Sequence, residues 1–197
     1  MKEINRIFFK SLFFILVIFS ANAENKVLSM GSSNAKITVK VFSSLTCPHC
    51  ANFHTSIFNK LKIEYIDKGL VRFEHHAFPL DLAALNAEII IRCHVDNNKK
   101  FELLEEMYEK QKKWAVGSDI NKINESLKKI GSTMNLKDKK MDDCLANDKA
   151  QDNILNQRIQ AQKNYSIEST PTIFINEKKY NGKVNYKHFK KVLKKYL

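Results

Sequence analysis

Ile37-Thr38-Val39-Lys40-Val41-Phe42, followed at once by Cys47-Pro48-His49-Cys50, is the stretch from which the rest of the chain can be read. The first six residues are β-branched and alternating, which predicts a strand. After the cysteines, Phe53, Ile57, Phe58 and Leu61 recur at helical spacing. Cys47 therefore falls at the entry to a helix. Unpaired backbone N–H groups and the positive end of the helix dipole favour a thiolate there. His49 can add a positive charge or a hydrogen bond, and Pro48 suits the first helical turn because it gives up no hydrogen bond. The thiolate is the reactive form of cysteine, so the pattern reads as a device for activating Cys47. Two other readings of the pair exist. One is half of a zinc site, but the remaining cysteines, Cys93 and Cys144, are 51 positions apart and form no second close pair. The other is a structural disulfide across two residues. No metal site and no cofactor are expected.

The N-terminus has the pattern of a targeting signal. Lys2, Arg6 and Lys10 are followed by an apolar run from Leu12 to Phe19 and by Ala21-Asn22-Ala23. The run is shorter than a membrane-spanning helix needs. Residues 1–23 are read as a Sec-type signal peptide cleaved after Ala23, the alternative being an uncleaved anchor. Either way the rest of the chain lies outside the cytoplasm, in a periplasm that permits disulfides. Without Lys2, Arg6, Lys10 and Glu3, 30 basic and 20 acidic residues remain. The lysines are spread along the chain with no Arg-rich tract, so a nucleic-acid partner is not expected.

In order, residues 24–35 read as a polar lead-in. A second strand runs Val71–Phe78 and ends at Pro79. From Asp81 to Asn164 prolines vanish and apolar residues recur at helical spacing, predicting about four helices. One of these is capped by Ser118 and stopped by Gly131. Thr172–Ile175 is a strand, Glu177-Lys178-Lys179 a turn, and Tyr180 a short return strand. Tyr186, Phe189, Val192 and Leu193 mark a last helix whose lysines lie on its other face. Strands linked through a helix are parallel and a hairpin is antiparallel. One mixed sheet, interrupted by a helical excursion, results.

With that layout the chain resembles thiol oxidoreductases of the DsbA type. The quartet Cys47-Pro48-His49-Cys50 is identical to the one typical of that family, and Ser169-Thr170-Pro171-Thr172-Ile173-Phe174 resembles its cis-proline stretch. The resemblance implies an α/β, thioredoxin-like fold: a central mixed β-sheet flanked by helices and interrupted by an inserted all-helical subdomain. The expected division is a thioredoxin-like part at 24–80, a helical insert at 81–164 and a second thioredoxin-like part at 165–197. It also implies roles. Cys47 is the nucleophile, Cys50 the resolving cysteine, and His49 a stabiliser of the Cys47 thiolate. Thr170 and Pro171, joined by a cis bond, face the pair where a substrate strand binds. The implied reaction is introduction of disulfides into unfolded or reduced exported proteins by a monomer, with reoxidation by a membrane quinone-linked partner. Some family members carry a second disulfide in the insert, at positions similar to Cys93 and Cys144. That pairing is expected here, against two free thiols.

The chain departs from the pattern in two places. The position six before the first active-site cysteine, acidic in thioredoxin and many relatives, is Val41. His54, one turn after Cys50, is a candidate for serving Cys50, against an exposed helix histidine. Thr170 stands where the best-known member has valine, and can hydrogen-bond near Cys47. Alternation places His75 and His76 on opposite faces of their strand, as structural histidines. The rival functions are a reductase or isomerase, a metal-binding module built on the CxxC pair, and a chaperone for which the cysteines are incidental.

Overall fold

The computed structural model describes residues 27–197. The signal-peptide reading of residues 1–23 lies outside them. Five strands form one sheet in the order β1-β3-β2-β4-β5. At its centre β2 (Ile37–Ser43) runs parallel to β3 (Val71–Ala77) and antiparallel to β4 (Thr172–Ile175). The sheet is mixed because a helical crossover joins β2 to β3, whereas β4 returns only after a long helical excursion. β2 and β3 alternate as read from the sequence. Val39, Val41, Val71 and Phe73 join the large core beneath the first helix, and Phe42 packs on the opposite face with Phe174 and Ala161.

Several elements differ from expectation. The polar lead-in contains an edge strand, β1 (Leu28–Met30), antiparallel to β3. Only Leu28 of it is buried, so it leaves no hydrophobic alternation to read. The helix after the cysteines is not uniform. α1 (Pro48–Phe53) passes into a π-helical turn at His54–Phe58, then α2 (Asn59–Leu61) and a second π-turn at Lys62–Ile66.

Six helices rather than about four follow β3. They are α3 (Leu82–Cys93), α4 (Asn97–Glu109), α5 (Gln111–Trp114), α6 (Ile120–Thr133), α7 (Asp138–Leu145) and α8 (Asp148–Tyr165). Asp119, not Ser118, caps α6. Gly131 does not end that helix. It sits inside it because a Cβ there would lie 2.4 Å from Met141 Sδ, so its role is close packing of α6 on α7. Asn135, at φ 64°, supplies the left-handed residue, and the N–H groups of Asn135 and Leu136 close on the carbonyls of Ser132 and Gly131. Cys93 and Cys144 are bonded, with S–S 2.07 Å, and tie the end of α3 to α7.

The hairpin register also shifts. Asn176 and Glu177, at φ 45° and 64°, form a two-residue turn, so the return strand β5 is Lys178–Lys179 and Tyr180 lies beyond it. Positive φ at both central residues matches the twist of the flanking strands. α9 (Tyr186–Leu193) buries Phe189 and Leu193 and leaves most of its lysines outside. Among the described residues no helix is long and apolar enough to cross a membrane.

Candidate active site

β2 delivers the chain to a short loop, Ser44–Thr46, and Cys47 is the N-cap of α1, with extended backbone (φ −78°, ψ 119°) and Pro48 at the first helical position. The loop is held by named bonds. Cys47 N–H donates to Ser44 O at 3.1 Å, and Leu80 N–H to Ser44 Oγ at 3.3 Å. Thr46 Oγ1 donates to Asp81 Oδ2 at 2.7 Å, and Asp81 also caps α3. From α5 the buried Gln111 side chain donates to Leu45 O at 2.7 Å and Cys47 O at 3.0 Å. The helical block therefore fixes the backbone on which the reactive sulfur stands.

Both thiols are free. Cys47 exposes 7% of its surface and Cys50 none. Cys47 Sγ lies 3.3 Å from Thr170 O, to which it donates as the thiol, and the Thr170–Pro171 peptide is cis. The two sulfurs differ sharply in acidity. A hydrogen bond from Cys50 draws the Cys47 thiol down from 9.0 to about 5. Burial opposes this, and the Thr170 side chain and the backbone N–H groups of Cys50 and His49 add to it. Those two N–H groups belong to the first turn of α1, so the helix terminus acts on the sulfur directly. Cys50 moves the other way: burial first, then the neighbouring Cys47, push its thiol far up. At neutral pH the pair is therefore one thiolate and one thiol, an arrangement suited to attack by Cys47 and resolution by Cys50.

The structure brings Cys47, Cys50, Thr170 and Pro171 together at the start of α1, with the exposed His49 beside them. Cys93 and Cys144 lie elsewhere, in their own disulfide. His54 corrects the expectation of an exposed helix residue: it is 2% exposed. Its ring stacks on Tyr108 at 4.1 Å and meets Phe58 and Phe73, and burial holds it well below the ordinary histidine range. His75 and His76 do face opposite sides. His75 is fully buried with Nε2 2.5 Å from Glu88 Oε1, and His76 Nε2 lies 3.1 Å from Glu74 Oε2 beside Phe42.

Sequence reasoning missed Gln111 and Glu88, whereas Tyr108 is buried as its helical spacing with Phe101 and Leu104 predicts. Gln111 and Glu88 are each a lone polar group on a helix, and only the tertiary structure tells a buried one from a solvated one. Beside the loop a cleft of about 480 Å³ is lined by Thr46, Asp81, Leu82, Ala115, Ile120 and Ile123. Among the described residues no group of three or more His, Cys, Asp or Glu is placed to hold a metal ion.

Comparison with known proteins agrees with this geometry. A family model described as Thioredoxin matches residues 23–195. A Rickettsia bellii protein named "Putative protein-disulfide oxidoreductase" is 31% identical over 160 residues, which is 81% of this chain and 60% of that protein. Disulfide bond formation protein D of Bacillus subtilis is 29% identical over 177 residues, 85% of this chain and 76% of its own. The crystal structure of alpha-DsbA1 from Wolbachia pipientis superposes with a TM-score of 0.79 at 28% identity, covering 86% of this chain and 90% of that one. The chain spans 55–60% of the length of the Rickettsia relatives it matches.

Proposed function

The chain belongs to the thioredoxin family and is DsbA-like, and from that premise we propose that it introduces disulfide bonds into exported proteins by dithiol–disulfide exchange at Cys47 and Cys50. The observation that carries the proposal is the opposed acidity of the two sulfurs, Cys47 drawn to about 5 and Cys50 pushed far up. A substrate thiolate attacks Cys47 Sγ of the Cys47–Cys50 disulfide, and Cys50 leaves. A second substrate thiolate then attacks its own sulfur in the mixed disulfide and expels Cys47. The products are an oxidised substrate and a dithiol protein. A stabilised Cys47 thiolate is a good leaving group and favours the reduced state, so electrons flow from substrate to protein.

His49 steadies the thiolate through its backbone N–H, and Thr170 offers the carbonyl beside which a substrate strand pairs. Exposed Leu80, Leu82 and Val116, at 50%, 53% and 63% exposure near the cleft beside the loop, suit an unfolded polypeptide. The basic, apolar and small-residue sequence at the N-terminus supports a periplasmic site of action. There a monomer would be reoxidised by a quinone-linked membrane partner, in a thioredoxin-like domain divided by the helical insert at 81–164.

The test is transfer to a reduced dithiol peptide. Oxidised wild-type protein should oxidise it with one-to-one stoichiometry, and Cys47→Ala should abolish transfer. Peptide left reduced by oxidised wild-type protein would overturn the reading.

A further inference from the structure

Behind Cys50, on the sheet face that packs against α1 and α4, lies a concentration of buried polar atoms. Both ring nitrogens of His54 and His75 Nδ1 have no hydrogen-bond partner among the described residues, and beside them the buried Tyr108 hydroxyl faces the buried Ser43 side chain. Buried polar atoms are nearly always paired, so several orphans in one place call for an explanation. Next to them Glu88 is hydrogen-bonded to the fully buried His75, and its second oxygen forms an ion pair with Arg92 Nε at 3.6 Å. Burying such a pair gives little or no net stability over apolar packing. The groups are contiguous: His54 stacks on Tyr108 at 4.1 Å, and its centroid lies 6.2 Å from that of His75. Cys50, Glu88 and Cys47, when ionised, all bear on the Tyr108 hydroxyl, whose proton burial already holds tightly.

The position of His75 gives the cluster meaning. In the parallel β2–β3 ladder His75 is the register partner of Val41. Val41 stands where thioredoxin and many of its relatives bury an acid, and here it can neither take nor give a proton. We propose that Glu88 and His75, together with Tyr108 and with His54 buried one helical turn after Cys50, form an internal proton reservoir for the resolving cysteine, displaced by one strand from β2 to β3. The inference rests on the exchange reading of Cys47 and Cys50.

In the step where the Cys47–Cys50 disulfide re-forms, Cys50 carries its proton and Cys47 is bound to a partner's sulfur. The Cys50 S–H proton passes to the reservoir. Its electron pair attacks Cys47 Sγ, the bond to the partner's sulfur breaks, and the partner leaves as a thiolate with that bond's electrons. In the opposite direction a substrate thiolate attacks Cys47, Cys50 departs as a thiolate, and it takes the proton back. His75 and Glu88 are positioning residues here, because neither touches the sulfurs. The ionisable or polar groups around Cys50 are Cys47 and His49 at the start of its helix, His54 in the π-turn that continues it, the hydroxyls of Ser43 on β2 and of Ser44 in the loop after it, and His75 on β3. Glu88 and Arg92 stand on α3, Tyr108 on α4, and Thr170 before β4.

The test uses the reduced protein and an aromatic disulfide reagent that releases a coloured thiol. Attack by the Cys47 thiolate releases one equivalent, and expulsion by Cys50 releases the second. Tyr108→Phe and His54→Phe keep the ring packing, and His75→Gln and Glu88→Gln remove the pair. Each should slow the second phase at least about tenfold near neutral pH, the lower end expected for loss of acid–base assistance being larger still. The pH profile of that phase should shift to higher pH, and the first phase should change little. The Glu88→Gln, His75→Gln double variant should be no slower than the slower single one, since the two act in series. A second phase with wild-type rate and pH profile in folded Tyr108→Phe and His54→Phe would overturn the reservoir. A wild-type protein that releases no second equivalent would instead overturn the exchange reading on which it rests.

Discussion

Replacing Cys50 should change the acidity of a sulfur that is not itself altered. The largest contribution holding the Cys47 thiolate is the hydrogen bond from the Cys50 thiol, and the helix-terminal N–H groups and Thr170 come after it. A hydrogen bond to a charged group contributes about 1.5–3 kcal/mol. One pKa unit is about 1.36 kcal/mol, so losing the bond corresponds to about 1–2 units. Water reaches the mouth of the site and screens the interaction, which favours the lower part of that range. Cys50→Ala should therefore raise the Cys47 midpoint from about 5 to between about 6 and 7. The Cys47 thiolate fraction at pH 7 would drop from about 99% to between about 50% and 90%. Cys50→Ser keeps an O–H donor at the same place and should retain most of the acidity. Thiolate ultraviolet absorbance against pH, with the rate of iodoacetamide alkylation as a second probe, measures each midpoint. The reasoning fails if Cys50→Ala still titrates at about 5, or if the serine variant rises as far as the alanine variant.

Other perturbations reach different parts of the account. The reduced protein should gain stability relative to the oxidised protein as pH rises from about 5 to about 8.5, because Cys47 ionises near 5 when folded but near 8.5 when unfolded. Above about 8.5 the gain should shrink again, because both unfolded thiols are then ionised while the folded Cys50 keeps its proton; melting temperatures of both forms across this range check the sign. Gln111→Ala should cost about 1–3 kcal/mol in urea unfolding, since it leaves the Leu45 carbonyl without its donor. Removing the Cys93–Cys144 bond, which spans 51 residues, should cost at most about 4 kcal/mol of stability in the chain-entropy view. The peptide-oxidation rate of that double alanine variant should stay within about twofold of wild type, and a rate loss larger than its stability loss explains would place the second disulfide in the mechanism.

What could be read in the sequence is what one local signal specifies. The alternation of Ile37–Phe42 and the apolar spacing from Phe53 to Leu61 bracket Cys47 at a helix start, and the structure places it there. β1 was hidden because its pairing partners are on β3 and its own side chains carry no pattern. His54 sits one turn from Cys50, yet its burial comes from Phe73 on β3 and Tyr108 on α4, both far away in the chain. Glu88 was invisible for the same reason. A carboxylate beside Ile89 on an amphipathic helix reads as a boundary residue until His75 is found 2.5 Å away. Gly131 shows the reverse error, a helix-stop signal whose cause is the sulfur of Met141.

The reduction potential of the Cys47–Cys50 pair tests the central claim most directly. Equilibration of the protein with glutathione mixtures, followed by acid quench and counting of alkylated thiols, gives it. A thiolate held as firmly as that of Cys47 predicts a pair more oxidising than the glutathione couple, above about −200 mV, and so still reduced in mixtures that oxidise a thioredoxin-type pair. A potential at or below about −270 mV, the range of a reducing thioredoxin, would contradict it.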